Sequence, residues 1–217
     1  AGNHAQGVAL SAHKLGVGAT IVMPVTTPLI KVEAVRSYGA NVVLYGDNFD
    51  QARQEAERLA NQFGYTWIDP YDDLEVIAGQ GTVGLEIIEQ LDKSPEAIFV
   101  PVGGGGLLAG VASIVKELSP ETKIIAVEAE DSACFELAFQ SGKPVPLDQV
   151  GLFADGTAVK QIGDQTFDLA RNLVDQTLTV TNDQISAAIK QIFYETRVVA
   201  EPAGALATAG LIKYLEL

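Results

Sequence analysis

Cysteine is all but missing from this sequence: Cys134 stands alone among 217 residues. One cysteine excludes an internal disulfide and fits a reducing, cytoplasmic setting. Cations are scarce too. Lys and Arg number 14 against 28 Asp and Glu, for a net charge of -14. Such a chain repels nucleic acid and anionic membrane surfaces, so neither is expected as a partner. No apolar run approaches the ~20 residues of a bilayer-spanning helix. The first ten residues carry Asn3, His4 and Gln6 and show no basic-then-apolar leader pattern. Internal repeats and low-complexity tracts are not seen. The chain opens on Ala1 rather than Met and stops at Leu217 inside a helical pattern with no cap signal. A piece of a longer protein is expected.

What is present is ordinary for a folded soluble protein: 47% hydrophobic and 19% charged residues. Short β-branched runs recur at 20–23, 41–45, 98–102, 124–127 and 178–180. Helical periods fill the intervals, at about 4–16, 28–38, 49–63, 74–91, 107–118, 164–174 and 182–197. Strands that are apolar on both faces belong to a buried parallel sheet. Their alternation with helices predicts an α/β fold. Thr27-Pro28 reads as N-cap and first residue of one helix, and Ser119-Pro120 ends another. Residues 141–159 scatter Gly, Pro and Asp without a period and predict a long loop. The rhythm breaks near 64–70, which predicts a smaller unit over 1–66 and a larger one over 67–217.

Four consecutive glycines, Gly103, Gly104, Gly105 and Gly106, separate the apolar run 98–102 from a helical run beginning at Leu107. A helix start leaves several N–H groups unpaired and carries the positive end of the dipole. Glycine lets those groups approach a phosphate with no Cβ between them. Lys93 and Lys116 bracket a stretch without a single cation, so backbone alone would have to bind the anion. A tight turn needs one or two glycines, and four point to the phosphate cradle. By contrast Gly79-Gln80-Gly81-Thr82-Val83-Gly84 matches a dinucleotide fingerprint only in form. Its flanks, 74–78 and 85–88, keep helical spacing, and no acidic residue closes the strand that follows. Close helix packing explains those glycines better.

Ala1-Gly2-Asn3-His4-Ala5-Gln6-Gly7 is a second loop-to-helix passage suited to a carboxylate. From local pattern alone Asn3 reads as a plain cap. This motif, Pro101-Val102 with the glycine run, Ala78-Gly79-Gln80-Gly81-Thr82, Val127-Glu128-Ala129-Glu130-Asp131-Ser132-Ala133-Cys134, Gly151-Leu152-Phe153-Ala154-Asp155-Gly156 and Ala200-Glu201-Pro202-Ala203-Gly204 all occur. Together they resemble the threonine dehydratases of the biosynthetic type, within the fold-type II pyridoxal-phosphate enzymes. The resemblance covers essentially the whole chain. It implies that fold, incomplete here, with parallel-rich sheets flanked by helices. It implies pyridoxal 5′-phosphate as cofactor, an amino-acid substrate, a homo-oligomer in the intact parent, and β-elimination of threonine to 2-oxobutanoate and ammonia in isoleucine biosynthesis. Gly103, Gly104, Gly105, Gly106 and Leu107 would hold the cofactor phosphate. Asn3 would bond the ring 3′-hydroxyl, while Gly2, Asn3 and His4 would take the substrate carboxylate. Gly156 and Glu201 would lie near the ring. For Glu201 the competing reading is an acid beside a helix start ahead of Pro202.

The departures matter as much. None of the nine lysines stands in the family's cofactor-linking context, so no catalytic residue is expected in this chain. The serine that would precede Ala1, the C-terminal serine that partners the pyridine nitrogen, and an effector-binding region are likewise not in it. Serine racemases carry a metal site of Glu and, six residues on, Asp. Here Glu128 is followed at that distance by Cys134, and no metal is expected. His4 beside a substrate loop has the form of a general base, but in the resembling family the lysine fills that role. His13 reads as a surface residue and Cys134 as a packing residue. Two other readings stay open. One is another fold-type II enzyme, such as serine dehydratase, serine racemase or a β-replacing synthase. The other is a non-catalytic module that binds a phosphate ligand.

Overall fold

The computed structural model describes residues 2–217; Ala1, where the first motif begins, lies outside them. The chain divides into two units, one ending at Ile68 and the other spanning Asp69–Leu217.

The first unit runs α1 (Asn3–Leu15), β1 (Thr20–Met23), α2 (Leu29–Ser37), β2 (Asn41–Leu44) and α3 (Phe49–Phe63). β1 and β2 pair in parallel, with Thr20 opposite Asn41. α1 buries a stripe of small residues, Ala5, Ala9 and Ala12, at helical spacing. Ala5 and Ala9 join Ile21, Met23, Val32 and Val35 in the unit's core. α2 starts one residue later than the Thr27-Pro28 signal suggests. Pro28 is itself the N-cap, at ψ 136, an extended backbone rather than a helical one. β2 is also less covered than a strand apolar on both faces should be. Asn41 and Leu44 are exposed, because β2 is the second of only two strands.

The second unit contains α4 (Leu74–Gln90), β3 (Ala97–Pro101), α5 (Gly106–Leu118), β4 (Lys123–Ala129), α6 (Cys134–Ser141), α7 (Asp164–Ala170), β5 (Gln176–Val180), α8 (Asn182–Thr196) and α9 (Pro202–Leu215). Its sheet has the order β3-β4-β5, parallel throughout. β4 is central, and all of its residues except Lys123 are buried. Alternate side chains enter two cores. Ile124 and Ala126 pack with Val100, Leu108, Val111 and Phe135. Ile125, Val127 and Ala129 pack with Leu178, Ile185 and Leu206 on the other face. Two-sided burial explains the unbroken apolar run.

α6 occupies a stretch that the sequence periodicity leaves unassigned, and its cause is tertiary. The carboxylate of Glu128, on β4, accepts the amides of Phe135 and Glu136 at 2.8 Å each. The cap of this helix therefore comes from the strand before it, not from a local cap residue. α7 ends at Ala170, shorter than its apolar period, and turns into β5. α8 carries a capping box between Thr181 and Gln184. Within α4, Gly81 and Gly84 face α5. A Cβ on Gly84 would lie 3.1 Å from the Val111 carbonyl oxygen, and one on Gly81 3.2 Å from that of Gly110. These two glycines serve helix packing, as the flanking periodicity indicates, but Gly79 does not: it is exposed, with nothing within 4 Å of an added Cβ. Among the described residues, no helix is long and apolar enough to cross a membrane.

Candidate functional site

In the second unit the glycine stretch links the carboxyl end of β3 to the start of α5, the usual place for a ligand in a parallel α/β sheet. Gly105 is the N-cap of α5, with φ 91 and ψ -5. That left-handed backbone is open to glycine at little cost. Gly105 and Gly106 are buried. Among the described residues, the amides of Gly104, Gly105 and Gly106 make no hydrogen bond. Buried amides without partners are rare in folded proteins and signal a missing acceptor.

The carbonyls of Gly103, Gly104 and Gly105 are all engaged. Gly103 O accepts from the Cys134 thiol at 3.4 Å. Gly104 O accepts from the Thr166 hydroxyl at 2.8 Å and from the Gly163 amide at 3.2 Å. Gly105 O accepts the Ala109 amide at 2.8 Å.

Neighbouring elements press closely on the loop. A Cβ on Gly103 would come within 2.9 Å of Thr157 Cα, and one on Gly104 would overlap the Tyr71 ring. One on Gly105 would meet Ile162 Cδ1 and Thr166 Oγ1, each at 2.8 Å. Tyr71 is held by a turn in which Asp69 accepts the amides of Tyr71 (3.1 Å) and Asp72 (2.8 Å). Asp72 then caps α7, accepting the amides of Asp164, Gln165 and Thr166 at 3.1, 2.8 and 3.2 Å. Leu107, half-buried, packs on the core below the loop.

The structure brings Gly156 and Glu201 together. Gly156 lies in a short 3-10 turn, Asp155–Thr157. A Cβ there would sit 3.2 Å from Glu201 Oε1 and 2.9 Å from the Ala203 Cβ. Glu201 is the N-cap of α9, and its side chain makes no cap bond. The next residue of the turn, Thr157, is the one against Gly103, so the turn lies beside the glycine loop.

In the first unit Gly2, not Asn3, is the N-cap of α1, with φ 90. Asn3 is the exposed first helical residue, which corrects its local reading as a cap. His4 Nε2 lies 3.3 Å from the carbonyl oxygen of Ile68.

Glu128 and Cys134 stand behind the glycine loop. Burial pushes the Glu128 carboxyl up to about 7, although the Phe135 and Glu136 amides pull the other way. Burial, reinforced by the Glu128 charge, pushes the Cys134 thiol up to about 12. Cys134 is thus a protonated, fully buried donor rather than a nucleophile. The folded protein binds the Glu128 proton more tightly than the unfolded chain does. Stability is therefore expected to fall as pH rises from 4.5 to about 7. The loss is about 3 kcal/mol and levels off above that range. Urea denaturation at stepped pH checks this, and Glu128→Gln should flatten that part of the profile.

Sequence reasoning found the loop but missed Tyr71, Thr157 and Thr166, which shape it. The signals were the broken rhythm near 64–70, just before Tyr71, and the aperiodic stretch 141–159 that holds Thr157.

The family described as pyridoxal-phosphate dependent enzyme matches residues 1–217. The chain belongs to that family. It is 56% identical over 217 residues to the biosynthetic L-threonine dehydratase of Escherichia coli, covering 100% of this chain and 42% of that protein. It is 58% identical over 214 residues to the chloroplastic biosynthetic threonine dehydratase of Arabidopsis thaliana, covering 99% of this chain and 36% of that one. Among solved structures, the processed threonine deaminase isoform 2 of Solanum lycopersicum superposes with a TM-score of 0.95 at 50% identity, over 99% of this chain and 62% of that one. The chain thus spans less than half the length of the curated relatives it matches. Pyridoxal-phosphate enzymes need a donor-rich, acceptor-poor pocket for a dianionic phosphate. The unpartnered amides of Gly104, Gly105 and Gly106 fit such a group.

Proposed function

We propose that this chain is part of a pyridoxal-phosphate-dependent threonine ammonia-lyase of the biosynthetic type. The observation that carries this reading is the partly buried cradle of unpartnered amides, in a chain 56% identical along its whole length to a biosynthetic threonine dehydratase. When bound, the cofactor supplies an electron sink for the charge left on the substrate α-carbon. This chain's residues bind and orient. The amides of Gly103, Gly104, Gly105 and Gly106, with Leu107, hold the phosphate, helped by the α5 dipole. The Asn3 side chain bonds the 3′-hydroxyl, and Gly2, Asn3 and His4 receive the substrate carboxylate. Gly156 and Glu201 lie beside the ring. The cofactor-linking lysine and proton carrier lies outside this chain. In net terms threonine loses its α-proton and β-hydroxyl, and hydrolysis gives 2-oxobutanoate and ammonia.

In this reading residues 1–66 belong to the small domain and 67–217 to the large cofactor-binding domain of a homo-oligomer that serves isoleucine biosynthesis. A cytoplasmic location belongs to the same proposal, supported by the single buried thiol. A transit segment in the full-length gene product would overturn it, since the Arabidopsis thaliana relative is chloroplastic by name.

The deciding experiment is turnover by the full-length gene product, following 2-oxobutanoate from threonine and pyruvate from serine. Threonine should be preferred. A serine preference, or no elimination from either amino acid, would overturn the assignment.

A further inference from the structure

The glycine loop is more than a gap in side chains, because its peptide planes are held from behind. In a planar trans peptide the carbonyl of one residue and the N–H of the next point in opposite directions. A partner that fixes the carbonyl therefore fixes the direction of the following amide. The Cys134 thiol holds Gly103 O and so aims the Gly104 amide. Thr166 and Gly163 hold Gly104 O and so aim the Gly105 amide. The Ala109 amide, within the first turn of α5, holds Gly105 O and so aims the Gly106 amide.

Of these anchors the Thr166 hydroxyl makes the shortest side-chain bond to the loop. The residue is fully buried. Its hydroxyl reaches Gly104 O at 2.8 Å and the Gly163 carbonyl, a local partner, at 3.0 Å. The shorter contact is the one 62 residues away in sequence. Asp72 keeps Thr166 in register by accepting three amides of the α7 start, Thr166's own among them.

We infer that Thr166 is a positioning residue for anion binding: its hydroxyl sets the direction of the Gly105 amide and thereby the affinity of the loop for a phosphate monoester. It does not touch the ligand. The inference rests on the reading of the loop as the cofactor's phosphate site. It predicts something that reading does not, namely that a buried hydroxyl behind the loop controls the phosphate-dependent part of binding.

The test uses the full-length gene product stripped of cofactor. Rebinding of pyridoxal phosphate and of pyridoxal, which lacks the phosphate, is titrated by absorbance. The ratio of the two affinities reports phosphate recognition alone. Thr166→Val should cut the affinity for pyridoxal phosphate about tenfold, the effect of one buried hydrogen bond, and leave that for pyridoxal unchanged. Thr166→Ser should restore the ratio to within about twofold of the wild type. Thr166→Ala, which adds no new contact, is the second variant should Thr166→Val fold poorly, and it should behave as Val does.

A wild-type ratio in the hydroxyl-less variants overturns the inference. So does a Thr166→Ser protein as impaired as Thr166→Val. A wild-type protein with no preference for pyridoxal phosphate over pyridoxal would instead overturn the phosphate reading itself, and the inference with it.

Discussion

Gly105→Ala in the full-length protein is expected to weaken cofactor phosphate binding by at least two orders of magnitude. Two costs add. The first is conformational: at φ 91 an L side chain costs about 1–2 kcal/mol. The second is steric. The new methyl would lie 2.8 Å from Ile162 Cδ1 and 2.8 Å from Thr166 Oγ1, contacts that something must yield to relieve. Overpacking of that kind costs about 1–3 kcal/mol. The group displaced is also the hydroxyl bonded to Gly104 O, so relief of the clash falls on the amides proposed to face the anion. About 3 kcal/mol directed at the bound state corresponds to roughly a hundredfold in affinity. Gly142→Ala separates strain from site. Gly142 is the C-cap of α6 at φ 71, with nothing within 4 Å of an added methyl. It should lose about 1 kcal/mol of stability and no affinity. Cofactor titration together with denaturation distinguishes the two, and an unchanged affinity for Gly105→Ala would mean the loop does not grip the phosphate.

Much of this architecture is legible in the residues themselves. β4 stands out as an unbroken apolar run because both of its faces are buried: Ile124 and Ala126 enter one core, Ile125 and Val127 the other. The glycine run stands out because four adjacent residues without side chains are hard to explain by turn geometry alone. What stays hidden depends on distant partners. α6 has no local cap to announce it, since its cap is a carboxylate on the preceding strand. Thr166 looks like any threonine near a helix start, where a hydroxyl often bonds the carbonyl three residues back. It makes that bond too, at 3.0 Å. Nothing in the local pattern announces the second bond, to Gly104. Tyr71 follows a proline in a turn, and sequence alone does not say that its ring lies against a glycine loop on the far side of α4 and β3.

Gly110→Ala is expected to be the most destabilising single methyl addition in the larger unit. α4 and α5 approach so closely at this point that the new Cβ would overlap the Ile77 carbonyl oxygen and lie 2.6 Å from the Gly81 nitrogen and 2.9 Å from the Gln80 carbonyl carbon. All three are backbone atoms of α4, so no rotamer change relieves the contact. The helices would have to separate, pulling Val111 and Val115 away from a core in which both are buried. A loss of about 3 kcal/mol or more follows. Gly79, two residues before Gly81 on α4, is the contrast. It is exposed, with nothing within 4 Å of an added Cβ. Gly79→Ala should therefore stabilise by about 0.5–1 kcal/mol through helix propensity alone. Denaturant titration of the two variants measures both signs at once. The opposite outcomes follow from one fact about the helix pair: glycines at the contact are needed for the approach, and the one that faces away is not.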